Sequence, residues 1–343
     1  LPLFFILLSG EHPTLPLAEA RAILDASGGP YEIVSHHRSL LRVHAEAAAA
    51  DLLSRRGLML DFVADELFAS PSTDQDSILV SVRSLDLSRY ISHDETFSVR
   101  IKVTKGPRPS RPVIPAGEIG ELIGRQTNTR VNLSKPDVEF IGVMSPEEFV
   151  FGKVAWRKPR RSVVGRLPRR RPAFHPSTMQ PKLARAMVNL SRPSESGIFL
   201  DPFCGVGGLL LEAGLIGCQV IGIDLRRRMV RGARRNLRHY AIVPLGMFVG
   251  DARSIPILQG DAVAGDPPYG REASTGGLDT KEIVTGTLGS IADRLPNVHH
   301  VCLALPHTID ADEVAGVGGF RVTENHSIRV HRNLTRQIVT FTK

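Results

Sequence analysis

The spacing of apolar and polar positions changes character about half-way along the chain. Up to about residue 150, short runs with strand character alternate with helical ones: "LFFILL" and "YEIVS" flank a helix from about Leu17 to Ala26, with "HPTLP" as its entry turn. "FSVRIKV" (97–103) alternates with period two, and "AGEIGELIGRQT" predicts a short helix despite its glycines. "EFIGVM" and "FVFGKVAW" read as a closing pair of strands. This predicts an α+β module with Arg100 and Lys102 on one strand, the basic run continuing to Lys105 and Arg108. Farther on the pattern becomes regular β-then-α. "SGIFLDPFCGVGGLLLEAGLIG" is strand, glycine loop and helix, and "QVIGIDLRRRMVRGARRNLRHYA" is a strand ending in Asp224 followed by a basic helix. "GMFVGDA", "DAVAGDPPYG" and "VCLALP" supply three more strands. Strands alternating with helices imply a parallel, doubly wound sheet, and the helix-free tail "GFRVTENHSIRVHRNLTRQIVTFTK" an antiparallel hairpin at its edge. The fold class expected is α/β: an N-terminal module over residues 1–155, a linker over 156–172 and a Rossmann-like domain over 173–343.

Length and composition narrow the classes. The 343 residues suffice for two domains of roughly 100–200 residues each, and 42% hydrophobic residues with a mean hydropathy of -0.03 suit a soluble globular protein. No apolar stretch approaches the ~18 residues that span a bilayer, and "LPLFFILLSG" runs into "EHPTLPLAEA" without a signal-cleavage pattern, so a cytoplasmic protein with no membrane contact is expected. Cys204, Cys218 and Cys302 are too few and too scattered for a disulfide framework or zinc site. His36-His37 and His299-His300 are adjacent rather than i, i+4, so no structural metal is expected; a monomer is the expected state. The net charge of +8 and pI of about 9.7 point to an anionic partner. "RKPRRSVVGRLPRRR" (157–171) holds eight basic side chains and no acid, and reads either as a solvated linker or as a phosphate-contacting strip.

Four successive strand ends of the second half carry Asp201, Asp224, Asp251 and Asp266, where ligands of open α/β sheets bind. Acids there do not suit phosphate. "CGVGG" can bring backbone amides to a ligand, but Leu210 stands where the dinucleotide fingerprint needs glycine. An acid before the loop can take an ammonium, one at the next strand end both ribose hydroxyls, and Asp251 an adenine amine. S-adenosylmethionine has these three features and no phosphate. "DPPYG" fits the other reactant: two prolines remove two N–H donors and stiffen a turn, leaving outward-pointing acceptors. If the Asp266 carboxylate and the Pro267 carbonyl accept both hydrogens of an exocyclic amine, its nitrogen is held in position as positive charge develops. Tyr269 can stack on the base, an interaction worth roughly 1–3 kcal/mol.

These segments resemble class I S-adenosylmethionine-dependent amino-methyltransferases, and more narrowly the archaeal THUMP-containing tRNA guanine-N2 methyltransferases acting on guanosine 10. "DPFCGVGG", "GIDL", "GDA" and "DPPYG" resemble their four motifs, and "RPAFHPSTMQPKLARAMVNLS" (171–191) the segment that closes over the methionine end of the cofactor. "LSGEHPTLPLAEARAIL", "FSVRIKV" and "VNLSKPDVEFIGV" are similar to the N-terminal and THUMP regions. The resemblance implies a ferredoxin-like plus THUMP module that binds tRNA, followed by a class I methyltransferase domain. It implies that Asp201, Phe203, Cys204, Gly205 and Gly207 face the methionine moiety, that Asp224 and Leu225 face the ribose, that Asp251 and Ala252 face the adenine, and that Asp266, Pro267 and Tyr269 hold the guanine beside the cofactor. Arg100, Lys102, Arg169, Arg170 and Arg171 would contact RNA. The alternatives are an adenine-N6 or a ribosomal guanine-N2 methyltransferase, or a non-catalytic RNA-binding protein with this fold. Seven arginines between Arg226 and Arg238 read either as an added RNA face or as surface composition.

Overall fold

Among the described residues the chain forms two β-sheets, one of eight strands and one of seven. The computed structural model describes residues 1–71, 74–104, 115–159, 163–269, 279–331 and 334–343. Lys105 and Arg108, and Arg160 and Arg161 of the basic strip, lie outside the described residues. The chain divides into a first unit of Leu1–Leu17, Gly29–Ser54 and Met59–Pro159, and a second of Ala18–Gly28, Arg55–Leu58 and Arg160–Lys343.

The elements of the N-terminal half are β1 (Leu3–Leu8), α1 (Leu15–Ala26), β2 (Tyr31–His37), β3 (Leu40–Ala45), α2 (Ala47–Arg56), β4 (Leu60–Ser70), α3 (Gln75–Ser84), β5 (Thr96–Val103), α4 (Ala116–Thr127), β6 (Arg130–Val131), β7 (Val138–Met144) and β8 (Phe149–Arg157). The first sheet runs β2-β3-β1-β4-β8-β7-β5-β6. Its pairings are antiparallel except that β5 is parallel to β6 and β7. Apolar side chains explain the pairing. Phe5, Phe62, Ile141 and Val150 form one core, while Phe97, Phe140, Phe149 and Phe151 form another with Ile78 and Val82 of α3 and Ile119 and Ile123 of α4. Each such side chain contributes about 1.5–3 kcal/mol on burial. The expected strands around Phe97, Glu139 and Phe149 are present, and α4 has the expected bounds. The elements β3, α2, β4 and α3 add to that reading.

The second sheet is built from β9 (Ile198–Asp201), β10 (Gln219–Asp224), β11 (Gly246–Val249), β12 (Ala262–Gly265), β13 (His300–Pro306), β14 (Arg321–His331) and β15 (Leu334–Thr342). Its helices are α5 (Pro181–Leu190), α6 (Gly208–Leu215), α7 (Arg227–His239), α8 (Thr280–Arg294) and α9 (Ala311–Ala315). The strand order is β11-β10-β9-β12-β13-β15-β14. Strands β9 to β13 pair in parallel, whereas β15 lies antiparallel between β13 and β14, so the tail forms the expected hairpin at the sheet edge. Leu200, Ile223, Val263 and Leu303 of the parallel strands, Val284, Leu288 and Ile291 of α8, and Val339 and Phe341 of β15 share one core. The order reverses beside β9, and the carboxyl ends of β9 and β12 border the crevice this reversal opens. No helix among the described residues is long and apolar enough to cross a membrane.

Candidate active site

The glycine loop follows from where β9 stops. After Asp201 the chain turns into α6 through Gly205 and Gly207, whose φ angles of +50° and +82° lie in the left-handed region. A Cβ on Gly207 would also press on the Cβ of Ala233 at 3.2 Å, while one on Gly205 would meet no described residue within 4 Å. The loop is tied to β10: the Cys204 N–H donates to the Ile223 carbonyl (2.8 Å) and the Gly205 N–H to Asp224 Oδ2 (3.0 Å). Asp224 Oδ1 accepts the Arg226 N–H at 2.8 Å, so this carboxylate braces both the loop and the entry to α7.

Asp201 is 1% exposed. Its Oδ1 accepts the Phe203 N–H at 3.0 Å, and its buried Oδ2 has no hydrogen-bond partner among the described residues. Burial first, and then the charges of Asp224 and Asp266, hold this carboxyl well above the usual range, against the Phe203 N–H, which favours the charged form. Three of the four expected acids therefore sense one another. An orphaned carboxylate oxygen among further carboxylates is a receptor for a cation, which is what the ammonium of an amino-acid ligand supplies. Among the described residues, no group of three His, Cys, Asp or Glu side chains is placed to hold a metal ion.

The segment before α5 is pinned to this loop by Asn236 of α7. Asn236 is fully buried; its Oδ1 accepts the Ala173 N–H (2.8 Å), and its Nδ2 donates to the carbonyls of Ala173 (2.9 Å) and Val206 (2.8 Å). The same segment brings His175 near Asp224: burial and the charges of Arg226 and Arg228 lower the imidazole pKa, and Asp224 opposes them. Neither Asn236 nor His175 stands out in the sequence, where an Asn among arginines looks solvent-facing. Asn236→Leu leaves one buried backbone group, the Val206 carbonyl, and two partly buried ones of Ala173 without this partner, and a loss of unfolding free energy on the order of 1–3 kcal/mol is expected, the cost of an uncompensated buried polar group. Denaturant unfolding checks it; an unchanged midpoint would remove Asn236 from its bracing role.

The Asp266 turn is held from two directions. The Tyr269 hydroxyl stands 2.5 Å from Asp266 Oδ1 and 2.9 Å from the Ala304 carbonyl, so its single proton faces two acceptors. Arg336 of β15 donates from Nη1 to Asp266 Oδ2 at 3.1 Å, and its guanidinium carbon lies 4.9 Å from the centroid of the Tyr269 ring. Burial raises the Asp266 pKa above its ordinary value, while Arg336 and the Tyr269 hydroxyl oppose the shift. Burial, followed by the Asp266 charge, pushes the Tyr269 phenol well up. The Thr280 hydroxyl donates to the Pro268 carbonyl (3.0 Å), fixing the turn to the start of α8, and Pro267 is buried. One face of the tyrosine expected to stack on a base already carries Arg336.

The remaining expected residues are more dispersed. Asp251 pairs with Arg253 (Nη2 to Oδ2, 2.7 Å), a hydrogen bond that lowers its pKa. Ala252 is buried, and Leu225 is exposed beside Asp224. In the first unit, Arg100 pairs with Glu139 (3.1 Å) and Lys102 lies 3.9 Å from Asp61. Arg169 and Arg170 are exposed on a short 3-10 turn, Pro168–Arg170. Arg171 corrects the sequence reading. It is 5% exposed, its Nε donates to the Arg166 carbonyl at 2.8 Å, and burial lowers its pKa while the charge of Glu212 raises it. A guanidinium so placed does not reach an RNA backbone. The signal for it was Glu212, an acid inside the apolar helix α6: fully buried, it also engages Arg166 (2.7 Å) and Arg185 (2.9 Å).

Comparison with known proteins bears on the whole chain. It is 34% identical over 334 residues to the tRNA (guanine(10)-N2)-dimethyltransferase of Methanothermobacter thermautotrophicus, covering 97% of both chains. The chain belongs to the tRNA (guanine(10)-N2)-dimethyltransferase family. A second member, from Pyrococcus abyssi, is 33% identical over 97% of this chain and 98% of its own. The family model described as RMKL-like, methyltransferase domain matches residues 168–338, which contain the acid-tipped strands. Among solved structures, TrmN from Thermus thermophilus shares the fold of this dimethyltransferase-family chain, with a TM-score of 0.57 at 18% identity and 99% coverage of each chain.

Proposed function

We propose that the chain is an S-adenosylmethionine-dependent enzyme that methylates the exocyclic N2 of guanine in tRNA, at guanosine 10 as in the names of its relatives. The observation that carries the reading is the spatial order of the acids. With the strands running β11-β10-β9-β12, Asp251, Asp224, Asp201 and Asp266 follow one another across the sheet. At about 4.8 Å between neighbouring strands they are spread over roughly 14 Å, so one extended ligand lying along the strand ends can meet several of them. Asp251 then takes the adenine end, Asp224 the ribose, and Asp201, through its orphaned Oδ2, the ammonium, leaving Asp266 for the acceptor nitrogen. The residues fit this cofactor, which when bound supplies an electrophilic methyl group on a sulfonium.

Asp266 and the Pro267 carbonyl accept the two amine hydrogens of the target base and hold its nitrogen in position. As the nitrogen gains positive charge, the carboxylate stabilises it and lies ready for the proton the product releases. Since N2 of a paired guanine lies in the shallow minor groove, the base is extruded to reach the crevice. Residues 1–155, read as a ferredoxin-like plus THUMP module, bind the folded tRNA, and the basic stretch 156–172 leads to the methyltransferase domain. Arg100 and Lys102, although paired with acids, lie on the strand β5 that gives this module its basic character.

Mass spectrometry of nucleosides from unmodified tRNA transcript, incubated with the protein and methyl donor, tests the proposal. N2-methylated guanosine is the expected product; N6-methyladenosine or no product overturns it. A further expected result concerns the exposed arginines. The double change Arg169→Gln and Arg170→Gln should weaken tRNA binding and flatten its log-log salt dependence by about 1–2, close to one for each phosphate no longer neutralised. Filter binding between low and moderate salt reads the slope, and an unchanged slope would leave both residues without an RNA role.

A further inference from the structure

Arg336 belongs to none of the motifs that the sequence displays. It lies 70 positions from Asp266 in the chain and is carried by the hairpin strand β15. In the β13–β15 ladder it stands opposite Pro306, the last of seven rungs that begin at His300 and Thr342. The rung delivers its guanidinium to the Asp266 turn, where it meets two groups: Nη1 reaches Asp266 Oδ2 at 3.1 Å, and the planar group lies against the Tyr269 ring at 4.9 Å. Its side chain is 11% exposed, and its buried Nε has no hydrogen-bond partner among the described residues.

Fold stability alone explains this arrangement poorly. The preceding rungs hold β15 to β13 without it, and a desolvated ion pair contributes little net stability against apolar replacements. A buried N–H without an acceptor adds a cost. The local chemistry gives the arginine a different use. Two carboxylates, Asp266 and Asp201, face each other closely enough for their charges to interact, and among the described residues Arg336 is the cation that touches Asp266. The Tyr269 hydroxyl, from the same turn, also donates to that carboxylate. We propose that Arg336 is a positioning residue of the methyl-transfer site, holding the Asp266 carboxylate and the Tyr269 ring in the arrangement that receives the target amine. The proposal rests on the reading of this site as an amino-methyltransferase centre.

Arg336 acts on both partners. Its charge favours the ionised form of a carboxylate that burial pushes towards protonation; only that form offers every lone pair to the amine. Its plane against the tyrosine fixes the ring's orientation by a cation–π interaction, so an incoming base meets the opposite face. Of the groups facing Asp266, Arg336 comes from β15, Tyr269 from the turn itself and Asp201 from the end of β9.

The test compares Arg336→Met and Arg336→Lys with the wild type, with Arg336→Gln in place of the Met variant should that fail to fold. The first reading is the titration of the Asp266 carboxyl by carbon-13 NMR of aspartate-labelled protein, assigned by the signal missing in Asp266→Asn and recorded without tRNA or methyl donor. Arg336→Met should keep that carboxyl protonated to higher pH than in the wild type, and Arg336→Lys should restore most of the difference. The second reading is kcat/KM for tRNA methylation against pH. A fall of about 10–100-fold near neutral pH, by analogy with removing the hydrogen-bond partner behind a metal ligand, should shrink as the pH rises. An Asp266 titration unchanged in Arg336→Met, or a rate loss equal at every pH, overturns the proposal. Failure of the wild type to methylate N2 of tRNA guanine would instead overturn the functional reading, and the carboxyl titration separates the two.

Discussion

Asp266→Asn is expected to lower kcat/KM for tRNA methylation by about 10²–10³-fold, the effect of removing one preorganised electrostatic partner of a charge that develops in the transition state. The amide keeps the shape of the side chain and one acceptor oxygen. It loses the charge that balances the methylated nitrogen, and turns an NH2 group towards either Arg336 or Tyr269, both of which donate to the carboxylate. Affinity for tRNA and for S-adenosylmethionine should stay near wild type, because the cations proposed to contact phosphate and the acids at β9 and β10 are untouched. Single-turnover rates together with filter binding separate these quantities. Methylation at the wild-type rate, or a rate loss matched by an equal loss of tRNA affinity, would remove Asp266 from the catalytic role.

Asp201→Asn should act in two directions at once. The wild-type carboxyl titrates well above its ordinary range because it is buried beside Asp224 and Asp266. A folded-state pKa above the unfolded value of about 3.9 means that the native protein binds this proton more tightly, so stability falls as pH rises from there through the raised folded value. Asparagine removes that fall while still accepting the Phe203 N–H. The variant is therefore expected to be more stable than wild type at neutral pH, with the gap closing near pH ~4 as the unfolded carboxyl also becomes protonated. Cofactor affinity should drop roughly 10–150-fold, the equivalent of about 1.5–3 kcal/mol for a hydrogen bond to a charged group. Thermal melts across pH and calorimetric titration with S-adenosylmethionine check both halves. A variant less stable than wild type at neutral pH and undiminished in binding would contradict the assignment.

What could be read from the sequence was local or periodic. The acid at the end of each β-then-α unit marks its own strand end, so the positions of Asp201, Asp224 and Asp266 followed from short patterns, as did the edge hairpin. What remained hidden depended on distant partners. Alternation along β15 says which residues share a face, but it cannot say that Arg336 meets Asp266, because that meeting is set by the register of β15 against β13. Arg171 escapes the sequence for a related reason: a run of arginines reads as solvated, whereas Arg171 is buried and senses the charge of Glu212, 41 residues later in α6. In the first unit, β4 lies between β1 and β8, carries Asp61, Asp65 and Glu66 among its apolar residues and shifts register against β8 at Val63/Ala64 and Glu66/Phe68, so it lacks the strict alternation that reveals a half-buried strand.

The ladder of four acids has a thermodynamic corollary. The three acids proposed for the methyl donor lie at the ends of three strands joined by separate crossovers, so the donor is recognised by the assembled sheet and by no single βα unit. Occupancy and unfolding of that sheet are then mutually exclusive. Methyl donor at a hundred times its dissociation constant would add about 2.7 kcal/mol to the work of unravelling it, so proteolytic susceptibility would report on donor supply.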